Sequence, residues 1–581
     1  MRPTIFLGLF AISSLLQAQT SFCPDDPPLN SWLADSPYPI YHRNNYAQAS
    51  TCLPGIFPED SVVIKVRADI PGSASPWIYF SDRYPNGERV ILYANSTHVF
   101  KFIDDGTQLL AIDSLRIDFD PLGSVGYNFL LSKDNIWFTY DPDDNPSQGE
   151  YTRLFKLTDA DTTDPYSDIV VLDTFSFEGY NINKVGAYSL NYSGHIVSNS
   201  HADPVNGWAT TGVIDQNFQL LDTLRYSLFP DEEVHHNSIA IQEDNAYYIV
   251  TTHRLIQFTW DGNQVAIGWE ALYDFVNDGP TGNFANGSGT TPTLMGWGAG
   301  KDQLVLVADG HANNHLVAFW RELPPGWTGV PGMDLHFADS ISIPYAQSFG
   351  NLFQSIENSP TVHGYEVAIA QFNGFLGYDC MNEKGVQKFR WDTLAHQLVL
   401  EWATDAVNTN GVLSYSSGSN LVYGTGKEAD CAYYYYGLEW ETGELAVRIL
   451  LGPEGNFPED PFYDQGVNHI IDEEGSIYFS GSRSLVKLER HPPVLSAADE
   501  TITSASLSFA PNPTADWLSL HGITGGEWQV ELYSLSGQRL LSQPAVSSAK
   551  LDLRPFPAGI YVVRAQQGSQ RFTRKVVKME P

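Results

Sequence analysis

Short apolar segments alternate with polar turns through most of the chain. One unit combines residues 237–241, 246–250 and 255–260, and it ends in the acidic turn Asp261-Gly262. The same order recurs before Trp391-Asp392 and before Trp440-Glu441. Alternation of apolar and polar positions over short runs indicates strands that are half buried. Each unit therefore predicts a small antiparallel sheet whose strands are joined by tight turns.

The spacing of these units predicts how the sheets are arranged. The predicted first strands of the units begin near residues 77, 125, 185, 237, 291, 358, 412 and 467, mostly 50–60 residues apart. Such spacing is typical of propellers, in which a closed ring leaves no exposed sheet edge. The sequence predicts an all-β protein with a seven- or eight-bladed β-propeller over residues 61–490, eight blades being favoured. The last unit lacks a fourth strand, and a strand near Val62 would fill that place.

The chain on either side of the predicted propeller differs in pattern. Residues 20–60 are rich in Pro, Asn and Ser and predict an irregular N-terminal extension. Residues 491–506 predict a polar linker. Residues 507–581 contain short alternating strands and turn-forming Gly and Pro, which predict a small C-terminal β-sandwich.

Four motifs follow one another in this C-terminal module: Pro511-Asn512-Pro513, Ser536-Gly537, Pro557-Ala558-Gly559-Ile560-Tyr561 and Lys575-Val576-Val577-Lys578. Together they resemble the type A C-terminal sorting domain of the type IX secretion system. The resemblance implies a Bacteroidota-type bacterium and export by the type IX machinery through residues 507–581. It also implies that this domain is removed, and that the mature protein is secreted or attached to the outer cell surface.

Charge and targeting agree with an extracellular location. The 581 residues contain 32 Lys and Arg against 68 Asp and Glu, a net charge of −36. An acidic surface of this kind repels nucleic acid, so no nucleic-acid partner is expected. Residues 1–19 combine a basic start, a short apolar core and small residues near the end, which predicts a signal peptide. No later apolar run is long enough for a transmembrane segment.

Four cysteines outside the cytoplasm suggest disulfides. Proximity in sequence favours a pair between Cys23 and Cys52. Cys380 and Cys431 would then join two neighbouring units. None of the four has the spacing of a zinc motif.

The turns Trp260-Asp261-Gly262 and Trp440-Glu441-Thr442-Gly443 resemble the repeats of the quinoprotein-like (PQQ-like) propeller superfamily. The resemblance implies that each Trp docks between two blades. Quinoprotein dehydrogenases carry an adjacent Cys-Cys pair beside their cofactor, and this chain has none. The fold is therefore suggested, whereas a quinone cofactor is disfavoured.

Polar residues cluster where the predicted inner strands begin, which in a propeller is the mouth of the central channel. Amides, hydroxyls and imidazoles in such a ring suit a carbohydrate or carboxylate ligand. Local turns that satisfy backbone groups would give the same residue types. The predicted ligand-binding residues are His236, Asn237, Thr290, Thr291, Asn358, Asn410 and Asn468.

An enzyme on the same face is an alternative hypothesis. Glu357, His235 and His469 are the candidates for proton transfer in a polysaccharide lyase or glycoside hydrolase. Asp309, His311, Asn314 and His315 form a further polar loop without a zinc spacing. An oxygen-rich loop containing Asp141, Asp143 and Asn145 could hold calcium, although it lacks the register of an EF-hand.

Three functions are consistent with these features. The first is a secreted or cell-surface propeller that binds an extracellular glycan or peptide at its axial face. The second is the lyase or hydrolase at that face. The third is a degenerate quinoprotein-like scaffold for protein interaction. The sequence alone leaves open whether the protein is an enzyme.

Overall fold

The computed structural model describes the chain in segments separated by short gaps. The described residues are 23–72, 77–95, 97–117, 129–141, 152–180, 185–203, 206–230, 232–234, 238–273, 287–310, 313–347, 356, 358–371, 385–407, 411–455, 460–463, 469–493, 508–510, 514, 516–521, 528–534, 539–545, 549–567 and 570–579. Within them the chain forms strands, turns and bends and contains no helix. The all-β prediction is confirmed.

The strands follow the apolar segments of the sequence because β-branched and aromatic side chains pack well on pleated surfaces. Thirty-three strands precede the linker: β1 (Ser50–Thr51), β2 (Ser61–Arg67), β3 (Trp77–Phe80), β4 (Ile91–Ala94), β5 (His98–Asp104), β6 (Leu109–Arg116), β7 (Leu130–Ser132), β8 (Ile136–Asp141), β9 (Arg153–Asp159), β10 (Ile169–Ser176), β11 (Val185–Leu190), β12 (Ile196–Ser200), β13 (Trp208–Ile214), β14 (Leu220–Ser227), β15 (Ala240–Ile241), β16 (Tyr247–Val250), β17 (Arg254–Trp260), β18 (Val265–Leu272), β19 (Thr293–Met295), β20 (Leu304–Ala308), β21 (Asn313–Trp320), β22 (Phe337–Gln347), β23 (Thr361–His363), β24 (Glu366–Ala370), β25 (Val386–Asp392), β26 (Gln397–Thr404), β27 (Ser414–Ser416), β28 (Leu421–Lys427), β29 (Tyr433–Glu439), β30 (Leu445–Gly452), β31 (Ile470–Ile471), β32 (Ile477–Gly481) and β33 (Ser484–His491).

These strands form eight antiparallel four-stranded sheets within the described part of the chain. Seven sheets use consecutive strands, from β3–β6 through β27–β30, and the short β1 adds in parallel to β27. The eighth sheet contains β31, β32 and β33, with β2 as its fourth strand. Ser61 pairs with His491 and Arg67 with Leu485. The predicted role of the strand near Val62 is confirmed.

The sheets pack face to face in chain order, and the last packs against the first. Trp320 of one sheet lies in a buried cluster with Val367 and Trp391 of the next. Ile78 of the first sheet shares a cluster with Ile470 and Leu485 of the eighth. The sheets therefore close into the ring of a β-propeller, with cores between neighbouring sheets. Ring closure by β2 ties the two ends of the propeller sequence together and removes the free sheet edges.

Buried tryptophans connect neighbouring sheets, as the sequence resemblance implies. The indole N–H of Trp260 donates to His195 Nδ1 at 3.1 Å, and that of Trp391 donates to Asp302 Oδ2 at 2.7 Å. The Trp440 indole donates to the Glu366 carboxylate. His195 and Asp302 lie in the first turn of the preceding sheet, and Glu366 is the first residue of the strand that follows that turn. The acidic residue after the Trp has a local role, since Asp392 Oδ1 accepts two backbone N–H groups of its own turn.

The ring has two faces because strand direction alternates within a sheet. The upper face contains the starts of the inner strands and the turns between second and third strands. The lower face contains the turns between first and second strands and between third and fourth strands. We define the inner strands as β3, β7, β11, β15, β19, β23, β27 and β31.

Residues 30–53, the axial segment, run along the inner edges of the ring. Each inner strand pairs with its own sheet on one side only, so its other edge faces the axis. The segment forms hydrogen bonds to seven of the eight sheets and then continues into β2. The hydrogen bonds are Ser36 Oγ to Phe80 O (2.5 Å), Ala34 N to Leu131 O (2.9 Å), Asn45 Nδ2 to Leu190 O (2.7 Å), Ile241 N to Asn45 O (2.7 Å), Leu294 N to Tyr46 O (2.9 Å), Val362 N to Gln48 O (2.9 Å) and Tyr415 N to Ala49 O (3.0 Å).

The axial segment lies across the lower ends of the inner strands. Its neighbours are the ends of inner strands and the turns that follow them: the Lys133 N–H donates to Trp32 O at 2.9 Å, and Ser416 Oγ donates to Leu53 O at 2.5 Å. His42 and Tyr46 are fully buried there. The irregular extension predicted from the sequence is thus an ordered central element of the propeller.

A disulfide and a buried ion pair fasten this segment. Cys23 and Cys52 form a disulfide, as predicted. Arg43 Nη1 donates to Asp26 Oδ1 and to Ser50 O, both at 2.6 Å, and Nη2 donates to Asp26 Oδ2 at 2.5 Å. Cys431 is also disulfide-bonded, and its predicted partner, Cys380, lies outside the described residues.

Asp472 gives the propeller a testable pH dependence. Its Oδ1 accepts the backbone N–H groups of Glu474 (3.1 Å) and Ser476 (2.8 Å) in the β31–β32 turn. Burial, with the Glu474 carboxylate second, raises the pKa of Asp472 to about 7. Because this folded-state pKa lies above that of the unfolded chain, the folded protein loses stability as the carboxyl ionises with rising pH.

Asp472→Asn cannot ionise and keeps an oxygen for the turn. We expect the urea midpoint of the variant, relative to that of the wild type, to rise between about pH 4 and 7 and to stay constant above that range. Urea denaturation at pH values from 4 to 8 measures the difference. Two parallel curves over this range would show that Asp472 does not titrate there.

The C-terminal residues form a separate small sandwich. Its strands are β34 (Ser508–Ala510), β35 (Trp517–His521), β36 (Trp528–Ser534), β37 (Arg539–Ala545), β38 (Ala549–Asp552), β39 (Gly559–Gln567) and β40 (Gln570–Lys578). One sheet has the order β34-β35-β38 and the other β37-β36-β39-β40. Their inner faces enclose Leu520, Val530, Leu551 and Val563. The helix-free fold provides no helical segment that could cross a membrane among the described residues.

Candidate functional site

The described residues include only part of the predicted axial ring. Glu357, His235, His236, Asn237, Asn410 and Asn468 lie outside them, as do Asp143 and Asn145 of the predicted calcium loop. Asp141 is the last residue of β8. Among the residues that are described, no group of three or more His, Cys, Asp or Glu is arranged to hold a metal ion. The calcium site stays a prediction.

Thr290, Thr291 and Asn358 lie on the upper face at strand starts, and all three are buried. Thr290 Oγ1 accepts the backbone N–H of Ala308 at 3.0 Å. The Thr291 N–H donates to Ser359 Oγ of the next sheet at 2.9 Å. Asn358 Nδ2 donates to Gln371 O at 3.0 Å. These side and main chains hold the upper rim together.

His469 lies at the same level in front of β31 and is fully buried. Its Nδ1 lies 3.0 Å from Tyr435 OH, and its ring stacks against Phe479 with centroids 5.6 Å apart. The imidazole is thus packed between the seventh and eighth sheets. The other two predicted proton-transfer residues, Glu357 and His235, lie outside the described residues, so their convergence with His469 stays a prediction.

Hydroxyl groups of the inner strands form a belt from sheet to sheet. Thr293 Oγ1 donates to Pro360 O at 3.4 Å, Thr361 Oγ1 to Leu413 O at 2.7 Å, and Ser414 Oγ to His469 O at 2.5 Å. Each hydroxyl satisfies a backbone carbonyl in front of the next inner strand. Part of the polarity at the strand starts therefore serves ring assembly, because buried carbonyls require donors.

A histidine held by a carboxylate lies on the upper face between β20 and β21. His315 Nδ1 is 2.8 Å from Asp309 Oδ2, and the His315 backbone N–H donates to Asp309 Oδ1, also at 2.8 Å. Asp309 is 3% exposed, whereas the His315 side chain is 33% exposed. A carboxylate oxygen accepts, so Nδ1 is the donor in this contact. The pair is thus an oriented imidazole at the rim of the ring.

Close backbone packing fixes the position of this pair. A side chain at Gly310 would place its Cβ 2.3 Å from Gly287 Cα, and one at Gly287 would place its Cβ 2.6 Å from Thr252. The loop before β19 is therefore wedged between the upper turns of two sheets. Only glycine fits at both contacts, since real Cβ atoms do not approach other atoms so closely.

Hydrogen bonds connect the loop before β19 to the fourth sheet. We call this loop, with Tyr273, Ser288 and Thr290, the frame. Tyr273 OH donates to Thr251 O and accepts the N–H of Ser288 at 3.1 Å. Ser288 Oγ lies 3.0 Å from Thr290 Oγ1. Thr251 Oγ1 donates to the buried Glu232 carboxylate at 2.6 Å. The upper face between the fourth and fifth sheets is therefore rigid and polar.

The sequence indicated a polar loop around Asp309 but not the pairing of Asp309 with His315. The available signal was an Asp and a His six residues apart on either side of a predicted tight turn between apolar strands. A hairpin brings such positions close together. The sequence favoured His235–Asn237 and Glu357 as site residues instead, because the residues at strand starts line the channel in a propeller.

Comparisons with known proteins support the domain at the C terminus. Residues 508–579 match the family described as "Secretion system C-terminal sorting domain". The sorting domain predicted from the four motifs is confirmed. The protein is therefore a secreted or cell-surface protein that carries a sorting tail for the type IX secretion machinery.

Other similarities cover most of the chain. An uncharacterized protein of Archaeoglobus fulgidus is 27% identical over 501 residues, covering 78% of this chain and 89% of the relative. The quinohemoprotein alcohol dehydrogenase of Comamonas testosteroni is 11% identical, with a TM-score of 0.46, covering 82% of this chain and 83% of that chain. The C-terminal domain of Pseudomonas aeruginosa PilY1 is 11% identical, with a TM-score of 0.34, covering 69% and 92%.

Proposed function

We propose that this secreted or cell-surface propeller binds an extracellular ligand, a glycan or a peptide, at the upper face of its ring. The observation that carries the proposal is the axial segment. It lies across the lower ends of the inner strands, which favours the upper face as the place where a ligand would bind. The site would be concave and lined by a few fixed polar groups, as ligand sites commonly are.

The frame between the fourth and fifth sheets supports the same position. Tyr273, Ser288 and Thr290 fix the loop before β19, and the imidazole of His315 lies at its rim. Fixed polar groups favour binding because little side-chain freedom is lost when the ligand arrives. The residues predicted at the other strand starts, His236, Asn237, Asn410 and Asn468, would extend this surface around the ring.

Electrostatics restrict the ligand. The net charge of −36 and the exposed Glu233 beside the frame disfavour polyanions at low ionic strength. A neutral or cationic extracellular molecule is the better partner.

The test compares two matched charge reversals on opposite faces. Glu233 is exposed on the upper face, and Glu441 is exposed on the lower face in the β29–β30 turn. The purified chain without its signal peptide would be screened against neutral and anionic polysaccharides and peptides by calorimetry. New reducing ends and unsaturated uronic products would be recorded in parallel to detect cleavage.

For a cationic ligand we expect Glu233→Lys to weaken binding several-fold and Glu441→Lys to leave the affinity unchanged, since a charge acts mainly within a Debye length. The proposal fails if no ligand binds, or if only Glu441→Lys alters binding.

A further inference from the structure

One sheet of the sorting domain has an outer side that is buried. In the sheet β37-β36-β39-β40, Val530 and Leu532 point into the core of the sandwich. Successive residues of a strand point to opposite sides, so Glu531 and Tyr533 point outward. Glu531 is 9% exposed and Tyr533 is 5% exposed. Because the outer side of such a sheet ordinarily faces water, another part of the chain covers it.

The lower face of the propeller provides this cover. A cavity of about 600 Å³ lies between the two domains and is lined by residues 57–59, residues 417–421 and Glu439 of the propeller and by Tyr533, Arg539 and Arg564 of the sorting domain. Burial, with the hydrogen bond to Glu531 second, raises the pKa of the Tyr533 phenol, and the Glu59 carboxylate adds to the shift. A charge of the propeller thus acts directly on a side chain of the sorting domain.

The two walls of the cavity carry opposite charges. Glu59 and Glu439 are exposed on the propeller side. Arg539 and Arg564 lie on the side of the sorting domain. Residues 501–581 contain 8 Lys and Arg against 5 Asp and Glu, a net charge of +3 in a chain whose net charge is −36. The sorting domain is therefore attracted to the rest of the chain, and most strongly at low ionic strength.

Arg564 lacks an acceptor at this cavity. Its Nη1 donates to Tyr533 OH at 3.0 Å. Its Nε is buried and has no hydrogen-bond partner within the described part of the chain. Buried N–H groups in native proteins almost always have an acceptor, so a water molecule or a carboxylate completes this site. A polar contact of this kind, with room for water, is typical of domains that separate readily.

The propeller wall of the cavity is assembled from distant parts of the chain. Residues 57–59 follow the axial segment, and residues 417–421 form the turn between β27 and β28. Tyr423 OH of β28 donates to Ile56 O at 2.7 Å, which joins residues 367 positions apart. The wall therefore exists only when ring closure has brought the N-terminal residues against the seventh sheet.

We propose that this wall is a docking surface for the sorting domain of the same chain. The outer side of the sheet β37-β36-β39-β40 binds the lower face at the seventh sheet through opposite charges and intervening water. Because the wall forms only in the closed ring, a docked sorting domain marks a propeller that has folded. The proposal is independent of the ligand at the upper face.

The experiment measures how fast hydroxyl radicals oxidise Tyr533 in residues 20–581, by mass spectrometry of the digested protein. Docking protects the phenol, whereas release exposes it on the outer side of the sheet. Tyr561 packs in the core of the sandwich and is the internal reference, because its oxidation stays slow while the domain is folded. Small-angle X-ray scattering of the same samples measures whether the two domains stay together.

Two variants are each compared with a matched control. Glu59→Lys/Glu439→Lys reverses the charge of the propeller wall, and Glu441→Lys reverses an exposed carboxylate of the same lower face that does not line the cavity. Arg539→Ala removes a charge from the opposite wall, and Arg554→Ala is its control. These two arginine side chains are 60% and 57% exposed, and each pairs with one carboxylate of the sorting domain.

We expect slow oxidation of Tyr533 in the wild type at low salt. Glu59→Lys/Glu439→Lys is expected to oxidise about fivefold faster or more, since exposed ion pairs each contribute a factor of a few to the docking equilibrium. Arg539→Ala is expected to oxidise about threefold faster, and both controls less than about twofold faster. Raising the salt to about 0.5 M is expected to accelerate oxidation in the wild type and to increase its radius of gyration.

Two results would overturn the proposal. Fast oxidation of Tyr533 in the wild type at low salt, with a scattering profile of two separated domains, would mean that the sorting domain does not dock. Slow oxidation that neither the charge reversal nor salt accelerates would mean that Tyr533 is buried within the sandwich alone. Neither result bears on ligand binding at the upper face, so the proposed function is tested separately.

Discussion

A chain that begins at Ile70 will fail to form the closed ring. The truncation removes β2, whose seven residues complete the eighth sheet, and the axial segment, which bonds to the other seven sheets. Leu294, Val362 and Tyr415 would lose the partners of their backbone N–H groups. Each lost partner of a buried group costs about 1–3 kcal/mol. Without β1 and β2, the edges of β27 and β33 also lose their paired strands. The total loss of stability is comparable to the whole free energy of unfolding of a typical domain, about 5–15 kcal/mol.

The measurement compares the near-ultraviolet circular dichroism and urea unfolding of residues 20–581 and 70–581. Residues 20–491 are the control, since they end with β33, lack only the chain that follows it and keep every strand of the ring. We expect cooperative unfolding for the control and for residues 20–581, and none for residues 70–581. If the chain that begins at Ile70 unfolds at the same urea concentration as the control, the axial segment is dispensable.

Arg43→Ala is expected to cost about 3–5 kcal/mol of the free energy of unfolding. Arg43 is 4% exposed and forms two hydrogen bonds to Asp26, one to Ser50 O and one to Cys23 Sγ. Removing the guanidinium leaves the Asp26 carboxylate without its charge partner in a largely buried position. The cost of an uncompensated buried charge exceeds the cost of a lost surface pair.

Arg390→Ala supplies the comparison at the surface. Arg390 pairs with Glu401 at 3.1 Å, and its side chain is 39% exposed. Solvent screening limits the effect of this pair to about 1 kcal/mol or less. Urea denaturation of the two variants at the same pH measures the contrast. Similar losses in both would mean that the Arg43 pair contributes no more than an ordinary surface pair.

The disulfide that fastens the axial segment indicates the compartment in which the protein completes its folding. The disulfide joins Cys23, before the segment, to Cys52 near its end, and Cys23 Sγ accepts hydrogen bonds from Arg43 and from the backbone of Cys52. Disulfides form outside the cytoplasm. The disulfide that fastens the N-terminal residues in the ring therefore forms after export. This agrees with the sorting domain at the C terminus.

Local patterns in the sequence determined the strands and the order of the sheets. Alternation of apolar residues marked the strands, and Trp-acidic turns marked the third strand of three units, because a strand and a tight turn depend on residues close in sequence. The strand near Val62, the pairing of Cys23 with Cys52 and the sorting domain were likewise predictable. The two cysteines are close in sequence, and the sorting domain contains four local motifs. The strand near Val62 filled the one place left open in the last sheet.

Only the tertiary structure decided the path of the axial segment. His42, Arg43, Ala47 and Ala49 adopt positive φ values of 52° to 76°, which non-glycine residues rarely do. Contacts with successive sheets hold these conformations, since the residues themselves do not prefer them. No periodicity marks such a segment, so the sequence indicated only an irregular extension.

The tertiary structure also decided which polar side chains form the hydrogen bonds that join neighbouring sheets. Thr361 and Ser414 donate to carbonyls that lie more than fifty residues away in the chain. His315 is tied to Asp309 across a hairpin, whereas His469 is packed between aromatic rings. A polar residue at a strand start has the same local sequence in either case. Its role depends on the donor or acceptor that ring closure brings opposite to it, and that partner is specified by the whole fold.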